Sequence, residues 1–328
     1  MDLSYPATMP QSWDFSIKEE LHQVDQEIRR SIQSEQPILT EICDYVISSG
    51  GKRMRPGVTI LSYLANGGKT VSDVVKIAAA FEMIHSATLI HDDINDRSEM
   101  RRGKPSAHKR YGLQEALISG DFLFVKAFSI GGFFNEEIVN MVADACTAIA
   151  EGEMVQFEQE GEISPLDVYL DIIRGKTAKP IMAGARIGAY LAEAEPHTIQ
   201  DMGEYGLNIG MAFQIVDDIL DIVGTEQMLG KPRMVDFSEG KATLPMILAM
   251  GDGEVGKRLT ELFNKDHKTH RDVDEAAELV CRTTALDISR KKAQEYADLA
   301  VRALKEVPES IHKEGLWKLA STVVTRSN

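Results

Sequence analysis

Two segments of the chain carry the same spacing of acids. Residues 89–97 read LIHDDINDR and residues 214–222 read QIVDDILDI, each an Asp-Asp-x-x-Asp set inside an apolar run. At ~100° per residue, Asp92 and Asp96 fall ~40° apart on one helix face, as do Asp217 and Asp221. Carboxylates so placed repel one another, and burial makes the repulsion worse unless a cation compensates. Hard oxygen ligands with room for water suit Mg²⁺, which bridges one or two carboxylates to a substrate's phosphates. A single such set reads as a solvated acidic helix end. Two copies, each preceded by apolar helix, read as a paired metal site built from Asp92, Asp93, Asp96, Asp217 and Asp221.

Basic residues indicate what the acids act on. Lys52, Arg53 and Arg55 lie in GGKRMRP, and Arg101, Arg102 and Lys104 in MRRGKP. Lys176 and Lys179 lie in RGKTAKP, and Lys231 and Lys241 in GKP and GKAT. Glycine permits close backbone approach, and Lys and Arg supply donors for phosphate oxygens. Each cluster alone is weak, but four of them beside two acid motifs describe a pocket for two phosphorylated groups. Nucleotide chemistry is disfavoured, since no GxxxxGK[ST] follows a strand and no kinase signature is present. The fitting substrate is amphiphilic: a diphosphate head with a hydrocarbon tail.

Helices must position these groups. The 328 residues are 43% hydrophobic, enough for a substantial core, and carry a net charge of −15. That acidity argues against a nucleic-acid or anionic-membrane partner. The three cysteines, Cys43, Cys146 and Cys281, lie far apart and fit a reducing compartment. No signal-peptide pattern or stable membrane anchor is read, so a soluble, cytoplasmic protein is expected. Helical periodicity begins near Ser16 and continues through 113–131, 135–160, 166–193, 198–223 and 244–250. The stretch from Asp73 to Asn95 is apolar nearly all round until its last turns, as in a buried central helix. Strand alternation is absent, and 224–243 reads as a long loop. The expected organisation is an N-terminal tail, 1–15, and a single all-α domain, 16–328.

The chain resembles the trans-isoprenyl diphosphate synthases (polyprenyl synthases) over about residues 40–328. The resemblance rests on GGKRMRP, EMIHSATLIHDDINDRSEMRRGKPSAH, GDFLF, RGKTA, GMAFQIVDDILD and GKPRMVDFSEGKATLP, in the family's order. It implies an all-α isoprenoid synthase fold, one large antiparallel helical bundle around a deep central cavity, usually homodimeric. It implies condensation of an allylic prenyl diphosphate with isopentenyl diphosphate, with three Mg²⁺ ions per active site. On that resemblance Asp92, Asp96 and Asp217 hold the metals, and Asp93 and Asp221 act through water. Arg101, Lys176, Lys231 and Lys241 match positions gripping the allylic diphosphate; Lys52, Arg55, His85 and Arg102 match the isopentenyl diphosphate site. Thr177 and Gln214 match polar groups near the reacting carbons. Arg53 breaks the Lys52–Arg55 spacing and is expected to point away, and Glu82, Glu153 and Gln156 are expected in structural networks.

Product length should be set along the helix carrying Asp92. Stepping back from the acids, the candidate lining is Thr88, Ala87, Ile84, Met83 and Phe81. Ala87 and Thr88 are small, so a tail is expected to pass them and to stop deeper, at Phe81, Phe124 or Phe128. Ala87 is turned ~140° from Asp92, so it lines the cavity only if the cavity wraps part of the helix. The expected product is all-trans and longer than twenty carbons, C25–C40. The alternatives are a geranylgeranyl or farnesyl diphosphate synthase and a non-catalytic partner subunit, although such subunits lose Asp motifs. A class I terpene cyclase would carry Ser and Glu in its second motif.

Overall fold

The computed structural model describes residues 12–224 and 232–325, and nearly all of them are helical. In chain order, α1 is Lys18–Ser31, α2 Pro37–Ile47, α3 Met54–Ala65 and α4 Ser72–Asn95. Next come α5 Ala107–Tyr111, α6 Leu113–Gly131, α7 Glu136–Glu158, α8 Leu166–Ile173, α9 Lys179–Leu191 and α10 Pro196–Val223. The C-terminal part adds the short α11 Val235–Ser238, then α12 Leu244–Met250, α13 Gly253–Phe263, α14 His270–Cys281, α15 Ala285–Ala303 and α16 Ile311–Thr325. Local chemistry sets many of the ends. Pro37 starts α2, Asn135 accepts the Ile138 N–H at the start of α7, and Thr269 with Asp272 closes a capping box on α14.

Helix α4 is the centre of the bundle. It packs on α3 and α6, while α10 packs on α9 and α15. Val74, Ile77, Ala78, Met83 and Ile90 are buried, so apolar residues occupy every side of α4. Among the described residues, α4 alone is long and apolar enough to cross a membrane, but it is mostly buried inside the protein, as a core helix is.

Three details differ from the sequence expectation. Met100–Arg101 and Lys104–Pro105 form a minimal antiparallel hairpin, although no strand was expected. Its two-residue turn, Arg102-Gly103, has φ of 51° and 75°, the left-handed conformation that matches strand twist. The helix expected over 166–193 is interrupted by a π-helical turn at Arg174–Ala178. Pro180 has no N–H for the Lys176 carbonyl, and its ring would clash with it, so the ladder widens there. The expected loop 224–243 contains α11, and its residues 225–231, Lys231 included, lie outside the described residues. Of the expected tail, residues 12–15 are described, and Trp13 there is buried against the Gly57 backbone.

Candidate active site

The first acid motif ends α4, where the apolar helix reaches polar surroundings. Asp93 is 4% exposed and accepts from Arg101 Nε at 2.8 Å and also from Arg101 Nη2. Burial holds its carboxyl above the usual range, against the pull of Arg101. Asp96 accepts from Lys241 Nζ at 2.7 Å, and the same ammonium reaches Glu239 Oε2 at 3.0 Å. That contact joins groups 145 residues apart. Asp92 is pushed up to about 6, by burial first and then by Glu153 and Asp96, against the pull of Lys176 and Arg101.

The basic residues reach this place by different routes. Lys52 lies exposed in the turn before α3. Arg102, on the hairpin turn, lies against Gly51, where an added Cβ would come within 3.0 Å of its guanidinium. Arg55 and His85 line one cavity. Burial first, then Arg55, Arg102 and Arg101, hold His85 well below its usual pKa, so it is neutral. Arg55 feels both Asp92 and Asp217, which places the two acid motifs about one centre. Arg53 turns the other way, with left-handed φ of 49°, and pairs with Glu82 at 2.5 Å and Asp25 at 3.1 Å. On the opposite wall the π-turn presses on α7, since a Cβ on Gly175 would meet the Ala148 carbonyl at 2.7 Å. This packing sets Lys176 between Glu153 and Gln156, the latter at 3.1 Å.

The second motif, on α10, is built differently. Asp217 is exposed, whereas Asp221 is buried and accepts the Asp236 N–H at 3.3 Å. Asp218, 3% exposed, accepts from the Tyr169 hydroxyl at 2.5 Å and from Gln214 Nε2 at 2.8 Å. Gln214 Oε1 in turn accepts from the Thr177 hydroxyl at 2.8 Å. Burial, then Asp236, push the Asp218 carboxyl well above its usual range, while the bonds from Tyr169 and Gln214 act the other way. Tyr169, Glu239 and Asp236 had no signal in the sequence. Tyr169 sits on an ordinary apolar helix, and the other two lie in what read as a charged loop.

The cavity is small, with a volume of about 10 Å³. Arg55 and Lys176 give it a cationic end, shared by neutral His85, and Phe81, Ile84, Ala145, Ile149 and Pro180 an apolar one, with Thr88 and Cys146 also in its wall. Of the chain-length candidates, the wall holds Thr88, Ile84 and Phe81 but not Ala87, Met83, Phe124 or Phe128. Ala87 is fully buried but absent from the cavity wall, because 81, 84, 85 and 88 form the face that leads to Asp92 and Ala87 is turned away from it. Phe128 is 44% exposed on the outside of α6 and forms no floor; Phe124 packs half-buried against the core.

Hard carboxylate oxygens, one of them destabilised by burial and like charges, are a donor set that fits a divalent cation. Among the described residues no three acidic, His or Cys side chains converge as a self-sufficient cage.

Comparison with known proteins agrees with this arrangement. The family described as polyprenyl synthetase matches residues 36–280. The octaprenyl diphosphate synthase of Escherichia coli is 33% identical over 310 residues, 92% of this chain and 94% of that protein. A short chain isoprenyl diphosphate synthase of Methanocaldococcus jannaschii is 34% identical over 267 residues, 79% of this chain and 81% of that protein. The polyprenyl synthase of Caulobacter crescentus, whose crystal structure contains calcium and isoprenyl diphosphate, is 35% identical. It superposes with a TM-score of 0.90 over 96% of this chain and 97% of that one. With motifs, fold and relatives in agreement, the chain belongs to the polyprenyl synthetase family of prenyltransferases.

Proposed function

We propose that this protein is a Mg²⁺-dependent trans-polyprenyl diphosphate synthase that extends an allylic diphosphate with isopentenyl diphosphate to C25–C40 products. The observation that carries the reading is a cavity with a cationic end beside two Asp motifs and an apolar interior. Asp92, Asp96 and Asp217 would hold the metal, and bound Mg²⁺ would supply charge neutralisation to the departing pyrophosphate.

The chain's own groups do the rest. Lys176, Arg101 and Lys241 grip the allylic diphosphate, with Lys231 as a further donor; fixed cations there favour the charge that develops as the C–O bond breaks. Arg55, Arg102, Lys52 and neutral His85 take the isopentenyl diphosphate, whose double bond attacks the allylic carbon. Holding the two heads on separate cation sets lines up the reacting carbons. Departing pyrophosphate takes the final proton, so no dedicated protein base is required. The tail enters between α4 and α7, past Thr88, towards Ile84 and Phe81.

Leu113, Leu117, Val125 and Phe128 are 44–66% exposed along one side of α6. Such an apolar stripe supports a C₂ homodimer. We place the enzyme in the cytoplasm. Purified full-length chain, given labelled isopentenyl diphosphate and C10, C15 or C20 starters with Mg²⁺, should form products longer than C20 and lose activity on chelation. Arrest at C15–C20 would favour a farnesyl or geranylgeranyl diphosphate synthase. No turnover by the chain alone would favour a partner subunit.

A further inference from the structure

The hydrogen-bonded row Tyr169–Asp218–Gln214–Thr177 joins the second acid motif on α10 to α8 and the RGKTA turn. Asp218 receives two donors, one on each oxygen: the Tyr169 hydroxyl on Oδ2 and the Gln214 amide on Oδ1. An amide has one donor end and one acceptor end. With Gln214 Nε2 turned to Asp218, its Oε1 must face Thr177, and the Thr177 hydroxyl hydrogen is spent on that oxygen. The remaining lone pairs of Thr177 Oγ1 and Gln214 Oε1 are therefore the groups available to anything bound beside them. Without the acceptor at Asp218 the amide is free to turn over and offer N–H instead.

We infer that Tyr169 and Asp218 are positioning residues that lock Gln214 and Thr177 with oxygen, rather than N–H, towards the reacting carbons. The inference rests on the proposed reaction, in which an allylic carbon gains positive charge as pyrophosphate departs. Fixed oxygen dipoles stabilise that charge and an N–H would oppose it, so the row acts on turnover and not on the grip of either diphosphate.

The test is a polarity swap in the full-length enzyme, with melting curves as a check on folding. In Asp218→Asn the Tyr169 hydroxyl keeps the remaining oxygen and the new N–H₂ faces Gln214, which should turn over, lowering kcat about 10- to 100-fold with both KM values within about threefold. Tyr169→Phe keeps the ring, removes one donor and should lower kcat about three- to tenfold. In the double variant Gln214→Glu/Asp218→Asn the middle bond runs the other way. The introduced amide donates to the introduced carboxylate, whose second oxygen still accepts from Thr177. It should recover kcat at least about tenfold over Asp218→Asn alone. Near-normal kcat in Asp218→Asn, or a folded double variant no better than the single, overturns the inference. Thr177→Val and Gln214→Met separate this from the wider proposal. Unchanged kcat in both would remove these residues from the reacting carbons and overturn the underlying site assignment as well.

Discussion

The two Asp-Asp-x-x-Asp motifs share a spacing and differ in what neutralises them. On α4 each anchored acid meets a cation: Asp93 meets Arg101, and Asp96 meets Lys241. On α10 the buried Asp218 meets neutral donors, the Tyr169 hydroxyl and the Gln214 amide, and a backbone N–H is among the contacts of Asp221. The difference continues below the motifs. The face of α4 preceding Asp92 lines the cavity with Phe81, Ile84, His85 and Thr88, while α10 contributes nothing to that wall. One pattern thus serves two purposes. The first motif ties the anion-binding arms to the tail-binding helix; the second offers an exposed Asp217 backed by a hydrogen-bonded support.

The largest expected effect tests what the motifs have in common. Asp92→Ala and Asp217→Ala should each lower turnover by about three orders of magnitude or more, since each removes part of the charge stabilisation of the departing pyrophosphate. Helical content should be retained in both. If either variant turned over nearly normally under saturating Mg²⁺, that motif would lose its place in the metal site.

A smaller effect separates the motifs by stability. Arg101→Met leaves Asp93 buried without its cation, a loss expected to cost about 3 kcal/mol. Tyr169→Phe removes one neutral donor from an equally buried acid that keeps Gln214, and should cost about 1.5 kcal/mol. Asp93→Asn in the Arg101→Met background should recover most of the first loss, because the stranded charge is gone. Denaturant unfolding without added metal gives all three numbers. Equal losses in the two single variants, or no recovery, would mean that the motifs are neutralised in the same way after all.

What the sequence disclosed follows the same division. Helices α4, α6 and α12 were legible almost to the residue, because their apolar periodicity is uninterrupted. Asp92, Asp96 and Asp217 were legible as a pattern, and the four basic clusters stood out against a net charge of −15. The hairpin at Met100–Pro105 was not, since two-residue strands hold no alternation and its turn uses Arg-Gly where Asn-Gly would have been a signal. The π-turn was hidden for a similar reason: apolar periodicity continues through Arg174–Ala178, and only Pro180 marks the break. Tyr169 was illegible because nothing in a sequence couples a buried tyrosine to an acid 49 residues away.

The smallest expected effect concerns the asymmetry below the motifs, and it reads product length. Thr88 lines the cavity one turn before Asp92, whereas Ala87, one residue away, is buried outside it. Phenylalanine at 88 puts a ring where the tail must pass; overpacking an apolar tunnel commonly costs ~1–3 kcal/mol. A penalty of that size slows extension past the block by roughly five- to a hundredfold. Thr88→Phe should therefore shift the main product to about C15–C20 with the first condensation largely kept, while Phe81→Ala, which removes a ring from the same wall, should lengthen it. Ala87→Phe crowds the core of α4 instead, so it should lower the melting temperature without shortening the product. Chromatography of products from the three variants decides the matter. If Ala87→Phe shortened the chain and Thr88→Phe did not, the tail would run along the other side of α4, and the face that carries Asp92 would hold only the head of the substrate.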